Sequence, residues 1–479
     1  MTAGGRPRLQ IVMFVLNDVS RDSRVLREAR SLVDAGHQVT IIGRPHSTDQ
    51  REVTRQERDG FSIVLVPAPH AWRAWVYRYR KPWRMRGLIA RRFRYWLGQG
   101  PAGWVRSVAY VGMAILMVIA SIIRLPFIAI SGGLSQTTHN STLDWLIRFR
   151  FGSLGWARVA AAAAPHADVY HGHDLTGLPA AVRAAERSGG LVVYDSHEFY
   201  VESGSNAGRP AWAKWMLSRL ERRLAARASA LVTVNRTLGR ILHERLRVSR
   251  IVIVHNCPPR WDPPASGDDP LRPAAGLAPG TPVVLYHGGF TRDRGLLELA
   301  DAMFEPGLEA AHLVLLGFGP LEAELRARGL EPRTAGRLHV LPAVPPDQLP
   351  EWVAAADVGA MPNQPRNANE RLSTPNKLFE SLAVGLPVVS SDFPERRSIV
   401  MDDPDGPLGA LCDPTDVRSI AAAIRSILDL GPAERANLRA RCLRAAHDRW
   451  NWETESAKLV ALYASLADEA AAAGTPAAG

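Results

Sequence analysis

The stretch LQIVMFVLNDVSRDSRVLREARSLVDAGHQVTIIG, residues 9–43, decides the fold. LQIVMFVL is a short apolar run of strand type, SRVLREARSLVDAGH has apolar residues at helical spacing and ends at Gly36, and QVTIIG is a second strand. Strand, helix and strand joined by short connections make a parallel pair with a right-handed crossover. The rhythm resumes from ADVYHGHD (167–174), with strands at LVVYDS, SALVTV and RIVIVHN and helices between them. A second set comprises PVVLYHG, HLVLLG, RLHVLP, VGAMP, PVVSSD and GALCDP. Such Val/Leu-rich runs suit a parallel sheet covered on both faces. The expected fold is α/β, with two Rossmann-like, doubly wound domains facing each other; no fixed-period repeat points to a solenoid.

The expected limits are 1–260 for the N-terminal domain, 261–280 for a linker rich in proline, glycine and aspartate, and 281–450 for the C-terminal domain. A last helix over 451–468 packs back toward the N-terminal domain, and 469–479 is a frayed alanine-rich tail. At 479 residues, 46% hydrophobic and 22% charged, the chain is neither a disulfide-stapled mini-protein nor mainly disordered. Its three cysteines, Cys257, Cys412 and Cys442, are too scattered for a disulfide framework or a cysteine-based zinc site. With a first apolar run that reads as a strand and lacks a cleavage site, they place the chain in the cytoplasm.

Charge is spread unevenly. Basic residues outnumber acidic ones by 58 to 47, yet residues 60–143 contain eleven basic residues and no acidic one, leaving 47 against 47 elsewhere. This stretch breaks the α/β rhythm and reads as an insertion at 67–140. It holds AWRAWVYRYRKPWRMRGLIARRFRYW and then the uncharged run Ser107–Ile123. Tryptophan and tyrosine favour the headgroup zone, and arginines gain about 1 kcal/mol each near an anionic leaflet. Single-stranded nucleic acid offers similar stacking, but the apolar run, 17 residues long, favours lipid. Strands on either side of the insertion share one sheet, so a re-entrant or interfacial hairpin fits better than one crossing. The expectation is a membrane-associating insertion, an anionic membrane surface bound through residues 72–128, and peripheral or monotopic placement on the inner face of the cell membrane. A buried extra helix is the structural alternative.

The densest site signal is STPNKLFESLAVGLPVVSSD, residues 373–392. Thr374 and Pro375 read as a helix start, with a hydroxyl cap and a proline in the first helical position. The free N–H groups there, including that of Asn376, make an anion site, and Lys377 adds a full charge. Glu380, three residues on, can accept hydrogen bonds from two sugar hydroxyls. A capped surface helix with a solvated Lys/Glu pair has the same pattern, although lysine is scarce in this chain, which has only Lys81, Lys214, Lys377 and Lys458. In YHGGFTRDRGLLEL, Gly288 and Gly289 end a strand, and Arg292 or Arg294 could neutralise a pyrophosphate. Gly317 in GFGPLEAEL permits a base or ribose to lie on the backbone. All these loops belong to the carboxyl edge of one sheet.

In the first domain Asn17, Asp18 and Arg24 follow the first strand, while HGHD (171–174) and DSHE (195–198) follow later ones. His173, Asp174 and Glu198 suit hydrogen bonding to sugar hydroxyls. A structural role for His171 is equally open. No HxxxH or HExxH spacing supports a catalytic metal, so none is expected.

These motifs resemble the GT-B glycosyltransferases, in particular glycosyltransferase family 4 and its capsule or exopolysaccharide members. The resemblance is carried by NDVSRDSRVLREARSLVDAGHQVTIIG, DVYHGHDLTGLPAA, VVYDSHEFYVES, LYHGGFTRDRGL and TPNKLFESLAVGLPVVSSD. It implies a retaining, metal-independent hexosyltransferase without a cofactor, in which a nucleotide-sugar is the donor. Arg294 and Lys377 would bind the donor diphosphate, Glu380 the ribose and His197 the transferred sugar, making His197, Lys377 and Arg294 the catalytic set. Two positions depart from the pattern: Leu372 stands where many members have a glutamate, and Gly289 where many have an arginine, with Arg292 as its substitute. Together with the insertion, the resemblance implies a lipid-linked or glycan acceptor. A soluble acceptor and a catalytically silent scaffold are the alternatives.

Overall fold

The computed structural model describes residues 7–20, 22–47, 50–69, 142–262, 268–334 and 336–472, with Val108 and Gly112 as isolated positions. Most of the insertion expected at 67–140, the contact surface at 72–128, and the tail from 473 onward lie outside the described residues.

The first sheet has eight strands: β1 (Gln10–Phe14), β2 (Gln38–Gly43), β3 (Thr54–Arg58), β4 (Phe61–Leu65), β5 (Val169–His173), β6 (Leu191–Ser196), β7 (Ala230–Thr233) and β8 (Ile251–Ile253). Their order is β3-β4-β2-β1-β5-β6-β7-β8, so the winding reverses at β1. The second sheet has β9 (Val283–Gly289), β10 (His312–Phe318), β11 (Leu338–Leu341), β12 (Val358–Met361), β13 (Val388–Ser391) and β14 (Gly409–Cys412), in the order β11-β10-β9-β12-β13-β14. Here the reversal is at β9. In doubly wound sheets ligands bind beyond the strand ends at such reversals.

Five helices carry the site and its supports: α1 (Ser23–Asp34), α2 (Asp174–Ser188), α3 (Ala211–Ala225), α4 (Ala368–Leu372) and α5 (Asn376–Ala383); the last helix of the chain is α6 (Trp452–Ala472). Alternation along β1 divides the first core. Ile11 and Met13 pack with α1 and α6, while Val12 and Phe14 pack with α2 and α3. Asp22 starts α1 by accepting the Val25 N–H. Gly177 lets α2 cross β1 closely, since a Cβ there would lie 2.2 Å from the Phe14 carbonyl oxygen.

Two local features differ from the sequence reading. The pair β3/β4 is antiparallel and adds a polar edge strand. Its turn is Asp59–Gly60, both with positive φ, which matches the two-residue hairpin turn favoured by Asp-Gly. In addition, His171 and His173 lie inside β5 rather than after it.

Hydrogen bonds join the halves. Asn369 Oδ1 accepts the Phe199 N–H at 2.8 Å, Asn235 Nδ2 donates to the Leu372 carbonyl at 2.7 Å, and the Trp452 N–H donates to the Pro258 carbonyl at 2.8 Å.

Candidate active site

The carboxyl ends of both sheets open on one cleft of about 810 Å³. Among the expected residues, Asn17, Asp18, Arg24, His197 and Glu198 line it from the N-terminal half. Gly288, Gly289, Arg294, Gly317, Thr374, Pro375, Asn376, Lys377 and Glu380 line it from the C-terminal half. His173, Asp174 and Arg292 are not among the lining residues.

On the C-terminal side the key helix begins one residue later than expected. Asn376 is the first helical residue, Pro375 occupies the cap position, and no side chain caps the end. Thr374 instead accepts a hydrogen bond from Asn235 Nδ2 at 3.3 Å. The first N–H groups of α5 are left for a ligand, with Lys377 in the first turn. Lys377 Nζ donates to the Tyr286 hydroxyl at 3.3 Å and lies 4.6 Å from the ring centroid. Among the described residues no carboxylate comes within ion-pair distance of it. Burial, and then the like charge of Arg294, lower its pKa to about 7.

A glycine lies beside this amine. Gly288 has φ +113°, a backbone conformation that L side chains rarely adopt. Glu380 Oε2 meets His287 Nε2 at 2.9 Å. Burial would raise the Glu380 pKa, but this bond, the His287 charge and the Lys377 charge hold it below the usual range. Arg292 turns away and pairs with Glu324 at 3.0 Å, with its side chain 61% exposed. It therefore lies off the cleft.

On the N-terminal side the side chains form a closed shell. Arg24 lines the cleft, but it is 4% exposed and its guanidinium is already engaged. It pairs with Asp195 at 3.2 Å and Glu28 at 2.9 Å, and donates to the Val254 carbonyl at 2.8 Å. His173 is fully buried between His171, whose ring stacks on it at 4.4 Å, and His197, whose Nε2 is 3.2 Å from its Nδ1. The burial of His173 follows from β5 extending to it: what looks like a loop is strand interior. Burial and the neighbouring His171 lower the His173 pKa to about 3, so it stays neutral.

His197 is the opposite case. Its Nε2 lies 3.2 Å from Asp195 Oδ2 and its Nδ1 3.6 Å from Asp174 Oδ2. Burial works against its charge, but Asp174 and Asp195 outweigh this and raise its pKa to about 10. Asp174, in the left-handed conformation at φ 53°, also accepts the His197 N–H at 3.0 Å, so it orients His197 from behind. Asn17 Nδ2 donates to Asp22, Asp18 accepts from Ser20, and Glu198 accepts from Ser203 Oγ at 2.6 Å.

Sequence reasoning missed several lining residues, among them Glu370, His287 and Phe318. Glu370 Oε2 is buried without a hydrogen-bond partner, 3.7 Å from Arg294 Nη1. The resemblance places a glutamate eight positions before Glu380, at Leu372. That residue ends α4, Ser373–Pro375 is extended, and a carboxylate reaches the cleft from two residues earlier, at Glu370. The signal was Asn367 three residues before Glu370, a cap with an acidic N3 position.

Glu28, His171, His173 and Asp195 bring one potential metal-ligand atom each within 4.8 Å of one another. The Arg24 guanidinium already supplies a cation to both carboxylates, so these residues do not fit a metal centre well.

Residues 281–429 match the family described as glycosyl transferases group 1, and residues 120–257 match the glycosyl transferase 4-like domain. Sucrose-phosphate synthase from Thermosynechococcus elongatus superposes with a TM-score of 0.64 at 16% identity, covering 96% of this chain and 100% of that one. The fold is GT-B, and each half contains a stretch that matches a glycosyltransferase domain family. A trehalose-phosphate synthase from Burkholderia vietnamiensis shares this GT-B architecture, with a TM-score of 0.60 at 14% identity over 96% of this chain and 99% of its own. In sequence, the chain is 30% identical over 257 residues to D-inositol 3-phosphate glycosyltransferase of Xylanimonas cellulosilytica, covering 51% of this chain and 58% of that protein. It is also 30% identical over 151 residues to a GDP-mannose-dependent phosphatidylinositol monomannoside mannosyltransferase of Mycolicibacterium smegmatis, covering 31% and 38%. These alignments span about half or less of the curated relatives' length. The cleft thus lies between the two halves that carry these matches.

Proposed function

We propose that the protein is a retaining glycosyltransferase that moves a sugar from a nucleotide-sugar donor, held by the C-terminal half, to an acceptor held by the N-terminal half. One observation carries the reading: Lys377, without a carboxylate partner among the described residues, stands with Arg294 at the open start of α5 on the cleft that His197 also lines. That arrangement suits a diphosphate, with Glu380 one turn further along for the ribose.

In the proposed step the bond from the anomeric carbon to the diphosphate breaks and its electron pair leaves with the phosphate. The acceptor oxygen bonds to the same face of that carbon, and its proton passes to the departing phosphate oxygen. Arg294, Lys377 and the α5 N–H groups stabilise the charge that develops on the leaving group. His197, held as an imidazolium, donates to the transferred sugar and is unsuited to act as base. Positive charge from side chains and backbone makes a metal or cofactor unnecessary.

The acceptor is proposed to be membrane-borne, in polysaccharide or glycolipid synthesis on the inner face of the cell membrane, with residues 72–128 as the anchor. The relatives named for inositol phosphate and phosphatidylinositol mannoside acceptors lend support to an anionic acceptor, one of them lipid. Among the described residues no helix is long and apolar enough to cross a membrane. The scaffold reading weakens because Glu370 brings a carboxylate to the cleft despite Leu372. A thermal-shift panel of UDP-, GDP-, ADP- and TDP-sugars, followed by nucleotide release from the stabilising donor, tests the proposal. If none stabilises the chain and no nucleotide is released, it falls.

A further inference from the structure

The outer face of α3 has a composition that neither the core nor the cleft explains. Trp212, Trp215, Arg219, Arg222 and Arg223 recur at helical spacing on one side, opposite the buried Ala213, Leu217, Glu221 and Ala225. The tryptophans are 54% and 64% exposed, and the Arg219 guanidinium lies 5.7 Å from the Trp215 ring centroid. No acidic residue shares this face: Glu221 points inward and accepts a hydrogen bond from the Tyr194 hydroxyl at 2.7 Å. Among the described residues no ion pair engages Arg219, Arg222 or Arg223. Large exposed aromatics interleaved with cations mark a contact surface rather than a solvated face.

Position gives the surface its meaning. Arg209, just before α3, lies 5.4 Å from the Trp145 ring centroid, so the segment leaving the insertion runs beside the start of this helix. That segment repeats the composition, with Phe151 43% exposed and Arg150 stacked 5.5 Å from its ring. On the other side, Lys214 pairs with Glu202 at 2.8 Å, tying α3 to the loop that follows His197 and Glu198.

We infer that the Trp212/Trp215/Arg219/Arg222/Arg223 face of α3 is a docking surface for an anionic lipid bilayer, seating the acceptor side of the cleft against the membrane. Indole rings settle at the headgroup level, and each arginine near an anionic surface contributes about a fivefold gain in partitioning. The inference goes beyond the anchor proposed at residues 72–128, because it uses a different, folded part of the chain.

The test is co-sedimentation of the full chain with vesicles of phosphatidylcholine, with and without phosphatidylglycerol, at low and high salt. Arg222→Ala/Arg223→Ala should lose about thirtyfold in partitioning to the anionic vesicles and little to neutral ones. Trp212→Ser/Trp215→Ser should lose on the order of tenfold at any salt, and both variants should keep the wild-type melting temperature. Wild-type partitioning in both variants would overturn the inference. If deletion of residues 72–128 then abolished binding, the anchor reading would survive alone. Preferential binding of a single-stranded oligonucleotide with no vesicle binding would overturn both.

Discussion

The two sides of the cleft solve opposite electrostatic problems. At the ends of β5 and β6, Arg24 and His197 are matched by Asp195, Glu28 and Asp174, so the charges answer one another inside the protein. At the start of α5, Lys377 faces the cleft with a lowered pKa and no ion-pair partner among the described residues, beside Arg294, which Glu370 Oε2 approaches at 3.7 Å. The first arrangement holds one imidazolium in place. The second leaves the lysine unmatched, which is what the proposed anionic donor requires. Desolvation acts on both, but only where the counter-charge lies within the fold does the cation remain fully charged.

The sharpest way to break this comparison is Lys377→Ala. Turnover should fall by roughly a thousandfold while the melting temperature holds or rises, since a desolvated cation without an ion-pair partner is removed. Near-normal kcat/KM in that variant would refute the reading of the C-terminal side. Next comes His197→Gln, expected to lower turnover by about a hundredfold. Because the folded pKa of His197 is raised to about 10, its contribution to stability is complete below about pH 6.5 and declines as pH rises toward 10. The wild type should therefore lose melting temperature over that range more steeply than the variant, as scanning calorimetry would reveal.

A smaller effect concerns donor affinity. With Lys377 titrating near pH 7 in the free protein, an anionic donor binds best below that value and takes up a proton above it. The donor Kd should rise about tenfold between about pH 6 and pH 8, and titration calorimetry in two buffers at pH 8 should register the proton. A flat profile would mean the amine is already paired. The smallest effect is reserved for Arg292→Ala. Its exposed pair with Glu324 lies off the cleft, so turnover should stay within about twofold of wild type.

Most strands and the helix that carries Lys377 were legible because apolar runs and glycine-ended strands are local signals. What failed was set by the other end of a contact. HGHD reads the same whether β5 stops before His171 or runs through His173, and only burial by α6, whose Tyr463 hydroxyl meets His171 Nδ1 at 2.6 Å, separates the cases. Glu370 hid behind a break in the helix at Ser373–Pro375, and Arg292 behind a partner 32 residues away. The β3/β4 hairpin was announced by Asp59–Gly60, but polar residues on an edge strand give no apolar alternation to notice.

The bond from Trp452 to Pro258 has a mechanical corollary. The chain passes between the halves twice, and this contact brings the outward and return crossings together. The two crossings are therefore fastened to each other where they run side by side, so neither connection can shift alone.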